Sequence, residues 1–144
     1  MSDLEHGSAE TTASSLAVIT HHDDHRHVEF SGLAWPEDDT APKQVRTLLE
    51  FLKVLLVDHL DGSMDDVTVT RFYIRESVLT AETRARIHEV RHEFFSLPHF
   101  PASTMVGVAD LIDDGMLVEL EVEARLPDGE WEVETMTLDL PSDE

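Results

Sequence analysis

Hydrophobic and polar positions along this chain follow two different periods, and the changes between them mark the predicted elements. Residues 16–20 and 27–35 alternate over short runs, which predicts two strands, with residues 21–26 as the hairpin turn between them. From Val45 to Leu60 the apolar positions recur every three or four residues, which predicts a helix with one apolar face. Pro42 falls in its first turn, and Gly62 lies just beyond its end.

The second half of the chain repeats this pairing of strand and helix. Residues 65–74 are rich in β-branched and aromatic side chains and predict a strand, and residues 81–95 predict a helix capped by Thr80. Strands are predicted over residues 100–111 and 116–126, and residues 130–140 can pair back as one more. In the 116–126 strand Val118 and its alternating apolar neighbours point to one face, and Glu119, Glu121 and Glu123 to the other.

The resulting order of elements is ββαβαββ, which predicts an α+β fold with a mixed sheet and two helices packed on one face. The other face of that sheet also needs cover. Its candidates for burial include Val67, Val69 and Tyr73, and the chain has no further layer to place over them. We therefore expect a symmetric oligomer to cover that face.

The charge of the chain is strongly one-sided. Thirty-one acidic residues face ten basic ones, which leaves a net charge of −21, and only two of the basic residues are lysines. This composition favours a protein adapted to molar salt, where screening shortens to about 3 Å. The alternative is an acidic protein that works at ordinary salt concentrations and has a divalent-metal or basic partner. Such a surface repels phosphate, so we expect no nucleic-acid partner.

Several classes of function are excluded by composition. The chain has no cysteine, so disulfide and thiol chemistry are absent. No apolar run approaches the roughly 20 residues of a membrane span. The N-terminal residues are polar and acidic, unlike a secretory or transit signal, which predicts a cytoplasmic protein without a membrane partner.

The segment from His21 to His27 holds four histidines and two aspartates, which raises the question of a metal site. Zinc needs three or four ligands held in tetrahedral geometry, usually from two separate elements. A single hairpin turn does not supply that, and no second cluster lies near in sequence. We interpret the segment as a solvated turn and predict neither a metal site nor a cofactor.

Three local patterns resemble the RidA/YjgF family. The sequence FSGLAW (residues 30–35) is similar to the family's strand ending in Ser-Gly. HEFFSLPHFPASTMVGVADL (residues 92–111) is similar to its helix end, Pro-Ala turn and Val-Gly-Val strand, and LVELEVEA (residues 117–124) to its closing strand. The resemblance implies a chorismate-mutase-like fold and a homotrimer. It divides the chain into an acidic flexible tail over residues 1–14, a RidA-like domain over 15–126 and a C-terminal hairpin strand and tail over 127–144.

The same resemblance places a small-molecule site between subunits. The family's pocket positions fall on Ser31, Gly32, His88, Ser103, Met105 and Glu119. Glu119 is the family-type acid that would orient a water, although it also fits as one of three glutamates on a polar strand face. His88 fits equally as the edge of the pocket and as a surface histidine.

One departure from the family pattern bears directly on activity. Family members that hydrolyse imines carry Pro-Ala-Arg, whose arginine holds the substrate carboxylate, whereas this chain has Ser103 in that position. A serine hydroxyl cannot balance a carboxylate. The favoured hypothesis is a homotrimer that binds a small metabolite without efficient imine deaminase activity. The alternatives are a hydrolase that uses Glu119 and water on a non-carboxylate substrate, and a structural or protein-binding trimer with vestigial pockets.

Overall fold

The fold is centred on one mixed sheet, seen in a computed structural model that describes residues 13–129 and 133–136. Its strands are β1 (Ala17–His21), β2 (His25–Leu33), β3 (Val67–Arg75), β4 (Ala102–Val108) and β5 (Val118–Pro127). They lie side by side in the order β1-β2-β5-β3-β4. Among the described strands only β3 and β4 run parallel, and the helix Ala81–Phe94 connects them. The α+β class and the mixed sheet predicted from the sequence are confirmed.

Two helices cover one face of this sheet. Helix α1 spans Ala41–Val54, with the side chain of Thr40 accepting a hydrogen bond from the Lys43 amide at its start. The helix continues into a π-helical turn over Leu55–His59, which the periodic leucines did not reveal. Helix α2 spans Ala81–Phe94, and its cap is Thr80, as predicted.

The core lies between these helices and the sheet. Along β5 the alternation is complete: the apolar positions are fully buried, and the glutamates between them lie on the opposite face. The buried apolar positions of β5 are Val118, Leu120, Val122, Ala124 and Leu126. From α1 the leucines of the predicted face meet them, as do Phe72 and Ile74 of β3. The predicted packing of both helices on one sheet face is therefore present.

No helix among the described residues covers the opposite face, which is called the open face. Val69 and Tyr73 lie on it and are half-buried. Val67, predicted for this face, is instead 3% exposed and part of the core. The register between β3 and β5 shifts between Val67 and Val69, and this irregularity turns Val67 to the helix side.

A buried amide holds the start of β5 in place. The Gln44 side chain of α1 is fully buried and donates to the backbone carbonyls of Asp38 (2.8 Å) and Gly115 (2.9 Å). Its carbonyl oxygen accepts from the backbone amides of Leu117 (2.9 Å) and Val118 (3.2 Å). Gln44 therefore joins the loop before α1 to the turn before β5.

The chain ends are described only in part. Of the additional strand predicted over residues 130–140, residues 133–136 are described and form no strand, and the others lie outside the described residues. Most of the predicted N-terminal tail lies outside them as well. The proposed division into tail, domain and C-terminal segment stays a prediction. Within the described ranges, no helix is long and apolar enough to cross a membrane.

Candidate functional site

The six predicted site residues fall into two groups on opposite sides of the sheet. Ser103 pairs in register with Thr70, a core residue, so its side chain points to the helix side. Glu119 pairs with Tyr73 and points to the open face. Because side chains alternate along a strand, these assignments follow from the register alone. A single chain therefore does not bring Ser103 and Glu119 into one pocket.

On the open face, Glu119 lies directly over Gly32. A Cβ atom added to Gly32 would sit 1.9 Å from the Glu119 carboxylate oxygen Oε2, so any side chain at position 32 would displace this carboxylate from its present place. The ladder between β2 and β5 is irregular between Phe30 and Leu33, and this irregularity brings Gly32 to the carboxylate. Gly32 thus has a steric role next to the Glu119 carboxylate.

The electrostatic surroundings of Glu119 favour its protonated form. Partial burial, and to a lesser degree the neighbouring Glu121, raise the pKa of Glu119 above its ordinary value. Among the described residues no cation or hydrogen-bond donor pairs with this carboxylate. The other two glutamates of β5 do have hydrogen-bond donors. Glu121 accepts from the Tyr73 hydroxyl at 2.6 Å, and Glu123 accepts from Arg71 at 2.5 Å. Hydrogen bonding from Arg71 lowers the pKa of Glu123.

A mostly apolar groove of about 550 Å³ opens beside Gly32. It runs between the start of β1, the end of β2 and helix α1, and its apolar lining includes Leu16, Trp35, Phe51 and Val54. Ser31 lies next to it, where its hydroxyl donates to the Ser15 carbonyl and its amide to the Leu16 carbonyl. Gly32 is therefore shared by this groove and the Glu119 carboxylate.

On the helix side, Ser103 lies on edge strand β4 and is exposed. Its Oγ accepts a hydrogen bond of 3.0 Å from the fully buried Thr70 hydroxyl. Met105, two residues along the same face, is half-buried and packs against the core. Position 103 thus offers one neutral hydroxyl.

Helix α2 adds His88 to this second group together with a residue that sequence analysis missed. The Arg91 guanidinium lies 3.2 Å from Nδ1 of His88 and stacks over the Phe72 ring, 5.5 Å from its centroid. Phe72 pairs in register with Met105, so the guanidinium over the Phe72 ring lies near the β4 residues of this side. Burial lowers the pKa of Arg91. His88 and Arg91 lie three residues apart on one helix face, and this spacing could have identified Arg91 from the sequence.

The histidine-rich segment forms the hairpin between β1 and β2, although the strands extend further than predicted. Because His21 pairs with Arg26, the turn itself contracts to residues 22–24. The rings of His22 and His25 stack with centroids 4.6 Å apart, and Nδ1 of His25 lies 2.7 Å from Asp24. Within residues 13–129 and 133–136, no three His, Asp or Glu side chains are arranged to hold a metal ion.

Comparison with known proteins places this fold in a family. Residues 17–126 match the family described as Endoribonuclease L-PSP. No curated protein matches the sequence. Among solved structures, a member of the YjgF/YER057c/UK114 family from Mycobacterium tuberculosis is 26% identical, with a TM-score of 0.69. The match covers 85% of this chain and 97% of that one.

Two further structures share the fold at lower identity. RidA from an Antarctic Psychrobacter is 23% identical with a TM-score of 0.67, and the match covers 88% of this chain and 97% of that one. A YjgF family protein from Neisseria meningitidis is 20% identical with a TM-score of 0.67, over 84% and 93% of the two chains. The family match spans most of the sequence and agrees with the sheet order and paired helices, and the chain therefore belongs to the Endoribonuclease L-PSP family, the YjgF/RidA family.

Proposed function

We propose that the protein is a homotrimer that binds a small metabolite in clefts between subunits and does not hydrolyse imines efficiently. The observation that carries this proposal is the separation of Ser103 and Glu119 on opposite faces of one sheet. Residues of one site that cannot meet within a chain can meet between two chains. The open face of one copy would then supply Glu119 and Gly32, and the β4 side of another would supply Ser103 and Met105.

The open face itself supports the assembly. Neither described helix covers it, and its charges are already partly neutralised within the chain, because Arg71 and His27 both contact Glu123. Half-buried Tyr73 and Val69 lie beside them. Burying this face against other copies would remove apolar surface from water while keeping these polar contacts paired.

The chemistry of the cleft supports binding over imine hydrolysis. At the family's arginine position, the Ser103 hydroxyl already accepts a bond from Thr70, and it carries no charge. A carboxylate placed there would lack the bidentate, charge-assisted partner that a guanidinium supplies. The overall charge of −21 would also oppose the approach of an anion.

An active hydrolase remains the second candidate, because the Glu119 carboxylate is partly buried and has no described partner. A carboxyl group whose pKa is raised keeps its proton to a higher pH than an ordinary glutamate and can orient a water. Without a cation at position 103, such an enzyme would act on a neutral or cationic imine.

Imine hydrolysis distinguishes these candidates. The assay follows pyruvate released from 2-aminoacrylate generated in situ, with the uncatalysed rate subtracted, and a cationic imine serves as the second substrate. We expect no acceleration with either, while native mass spectrometry of the freshly purified protein shows a retained metabolite. Acceleration with the cationic imine alone that is lost in Glu119→Gln would favour the second candidate. Acceleration with 2-aminoacrylate would contradict the proposal.

We also infer that the protein works in the cytoplasm of a cell with high internal salt. The support is its composition: acidic residues outnumber basic ones about threefold and occur in helices, strands and turns alike. Screening at molar salt weakens the repulsion among these charges. Thermal unfolding in increasing potassium chloride tests the inference, with stability expected to rise.

A further inference from the structure

A second cavity, of about 570 Å³, lies at the end of the sheet opposite Gly32 and Glu119. It opens where β3 and β4 begin and β5 ends, and residues 133–136 form one of its walls. The Thr135 hydroxyl anchors that wall by donating to the Pro98 carbonyl at 2.8 Å. The family match ends at residue 126, so this wall lies outside the segment that the family shares.

The lining of this cavity combines an apolar surface with carboxylates. Phe100 and Val133 supply apolar surface, and the described part of the lining holds one guanidinium, of Arg125, and three carboxylates, of Asp65, Asp66 and Glu134. The volume falls in the range of about 300–1,000 Å³ that is typical of small-molecule sites. An anion entering here would meet an excess of negative charge, whereas an organic cation would meet both charge and apolar complementarity.

In the described lining, one polar atom has no hydrogen-bond partner and one carboxyl group is partly buried. Burial, followed by the neighbouring Asp65, raises the pKa of Asp66, although the Ser63 amide donates to Asp66 at 2.9 Å. Nδ1 of His99 is buried and has no hydrogen-bond partner among the described residues, and Nε2 of the same ring lies 3.9 Å from Asp65. A buried polar atom without a partner is uncommon and calls for a functional explanation. A bound ammonium group would offset the charge on the two aspartates. It would also supply a hydrogen-bond donor to which the His99 ring could rotate.

We propose that this cavity is a binding site for a small organic ammonium ion with an apolar or aromatic part. The ammonium group binds at Asp65 and Asp66, beside His99, and the apolar part packs against Phe100 and Val133. The cavity lies next to the proposed inter-subunit cleft, because Ala102 in its lining precedes Ser103, but it differs in binding a cation at Asp65 and Asp66.

Phenethylamine, with 2-phenylethanol and 3-phenylpropionate as its neutral and anionic counterparts, is the probe. Binding is followed through amide chemical shifts of the full-length protein at two potassium chloride concentrations. The amine should shift His99 and Phe100 and bind at least about tenfold more tightly than the alcohol, and the anion should not bind. Equal binding of amine and alcohol, or no binding of the amine, would overturn the proposal.

Variants separate this cavity from general attraction to an acidic surface. Asp65→Asn should weaken amine binding about threefold to tenfold, as expected for a partly exposed ion pair, whereas the exposed Asp58→Asn should leave it unchanged. Thr135→Val removes the anchor of the wall and should also weaken binding. Thermal unfolding of each variant confirms that it is folded. An equal loss in Asp58→Asn and Asp65→Asn would show that the amine binds only the general surface, and the proposal would fail.

Discussion

Restoring a guanidinium at position 103 gives a quantitative test of the argument from Ser103. In Ser103→Arg the new side chain starts from an exposed position on β4, so it can reach the cleft without entering the core. A charge-assisted hydrogen bond contributes about 1.5–3 kcal/mol, which corresponds to roughly ten- to hundredfold tighter binding of a small carboxylate. Calorimetry with pyruvate should show this gain over wild type. Ser103→Gln, which is long and polar but uncharged, is the matched control and should bind like wild type.

The structure also predicts what this substitution does to stability. Ser103 accepts the only hydrogen bond described for the buried Thr70 hydroxyl, so Ser103→Arg leaves that hydroxyl unpaired. The expected loss is about 1 kcal/mol, or about 2–4 °C in Tm. Adding Thr70→Val should recover it without changing pyruvate binding.

One result would refute the reasoning about Ser103. Wild-type protein that already binds pyruvate as tightly as Ser103→Arg would show that the cleft contains another cation. Arg91 is the described candidate, because its guanidinium lies beside His88 on the same side of the sheet. Loss of that binding in Arg91→Met would identify it as the cation.

Three further predictions concern stability. Gln44→Leu leaves buried backbone groups at the start of β5 unpaired and should lower the free energy of unfolding, measured by urea denaturation, by about 2–5 kcal/mol. A loss below about 1 kcal/mol would show that the hydrogen bonds around Gln44 rearrange freely. Burial raises the pKa of Glu119 above 4.5, so ionisation of this group destabilises the folded state as the pH rises through that raised pKa. Glu119→Gln should therefore unfold at a higher temperature than wild type at pH 7 and at the same temperature below about pH 4.5. An equal Tm of the two proteins at both pH values would contradict this. Tm and the mass of the assembly should both rise from dilute buffer to 1 M potassium chloride, and a flat response would make the halophile interpretation wrong.

Much of the fold was predictable because side-chain periodicity reports directly on burial. The alternation around Glu119 identified both faces of β5, and the three-to-four spacing from Val45 identified the buried face of α1. Irregularities were not predictable in this way. The register shift that turns Val67 into the core leaves no mark in composition, because a change of one position reverses the face of every following residue.

The candidate site was predictable in its residue types but not in its arrangement. The resemblance named Gly32 and Glu119 separately, and only the structure shows that a Cβ at Gly32 would collide with the carboxylate. The cavity beside His99 had no sequence signal, because its lining comes from four separate segments of the chain. Contacts between distant segments depend on register and loop path, which local patterns do not encode.

Cross-linking between copies tests most directly whether the site forms between subunits. The chain has no cysteine, so Ser103→Cys and Glu119→Cys each introduce one thiol. The two variants are unfolded together, refolded as a mixture in 1 M potassium chloride and treated with a short bismaleimide, with Glu82→Cys replacing Ser103→Cys as the control. If the site forms between subunits, the Ser103/Glu119 mixture gives a product of twice the 16.2 kDa chain mass and the control gives little, within assemblies that sediment at three times the chain mass. A monomer in sedimentation, or equal cross-linking in the two mixtures, would contradict this prediction.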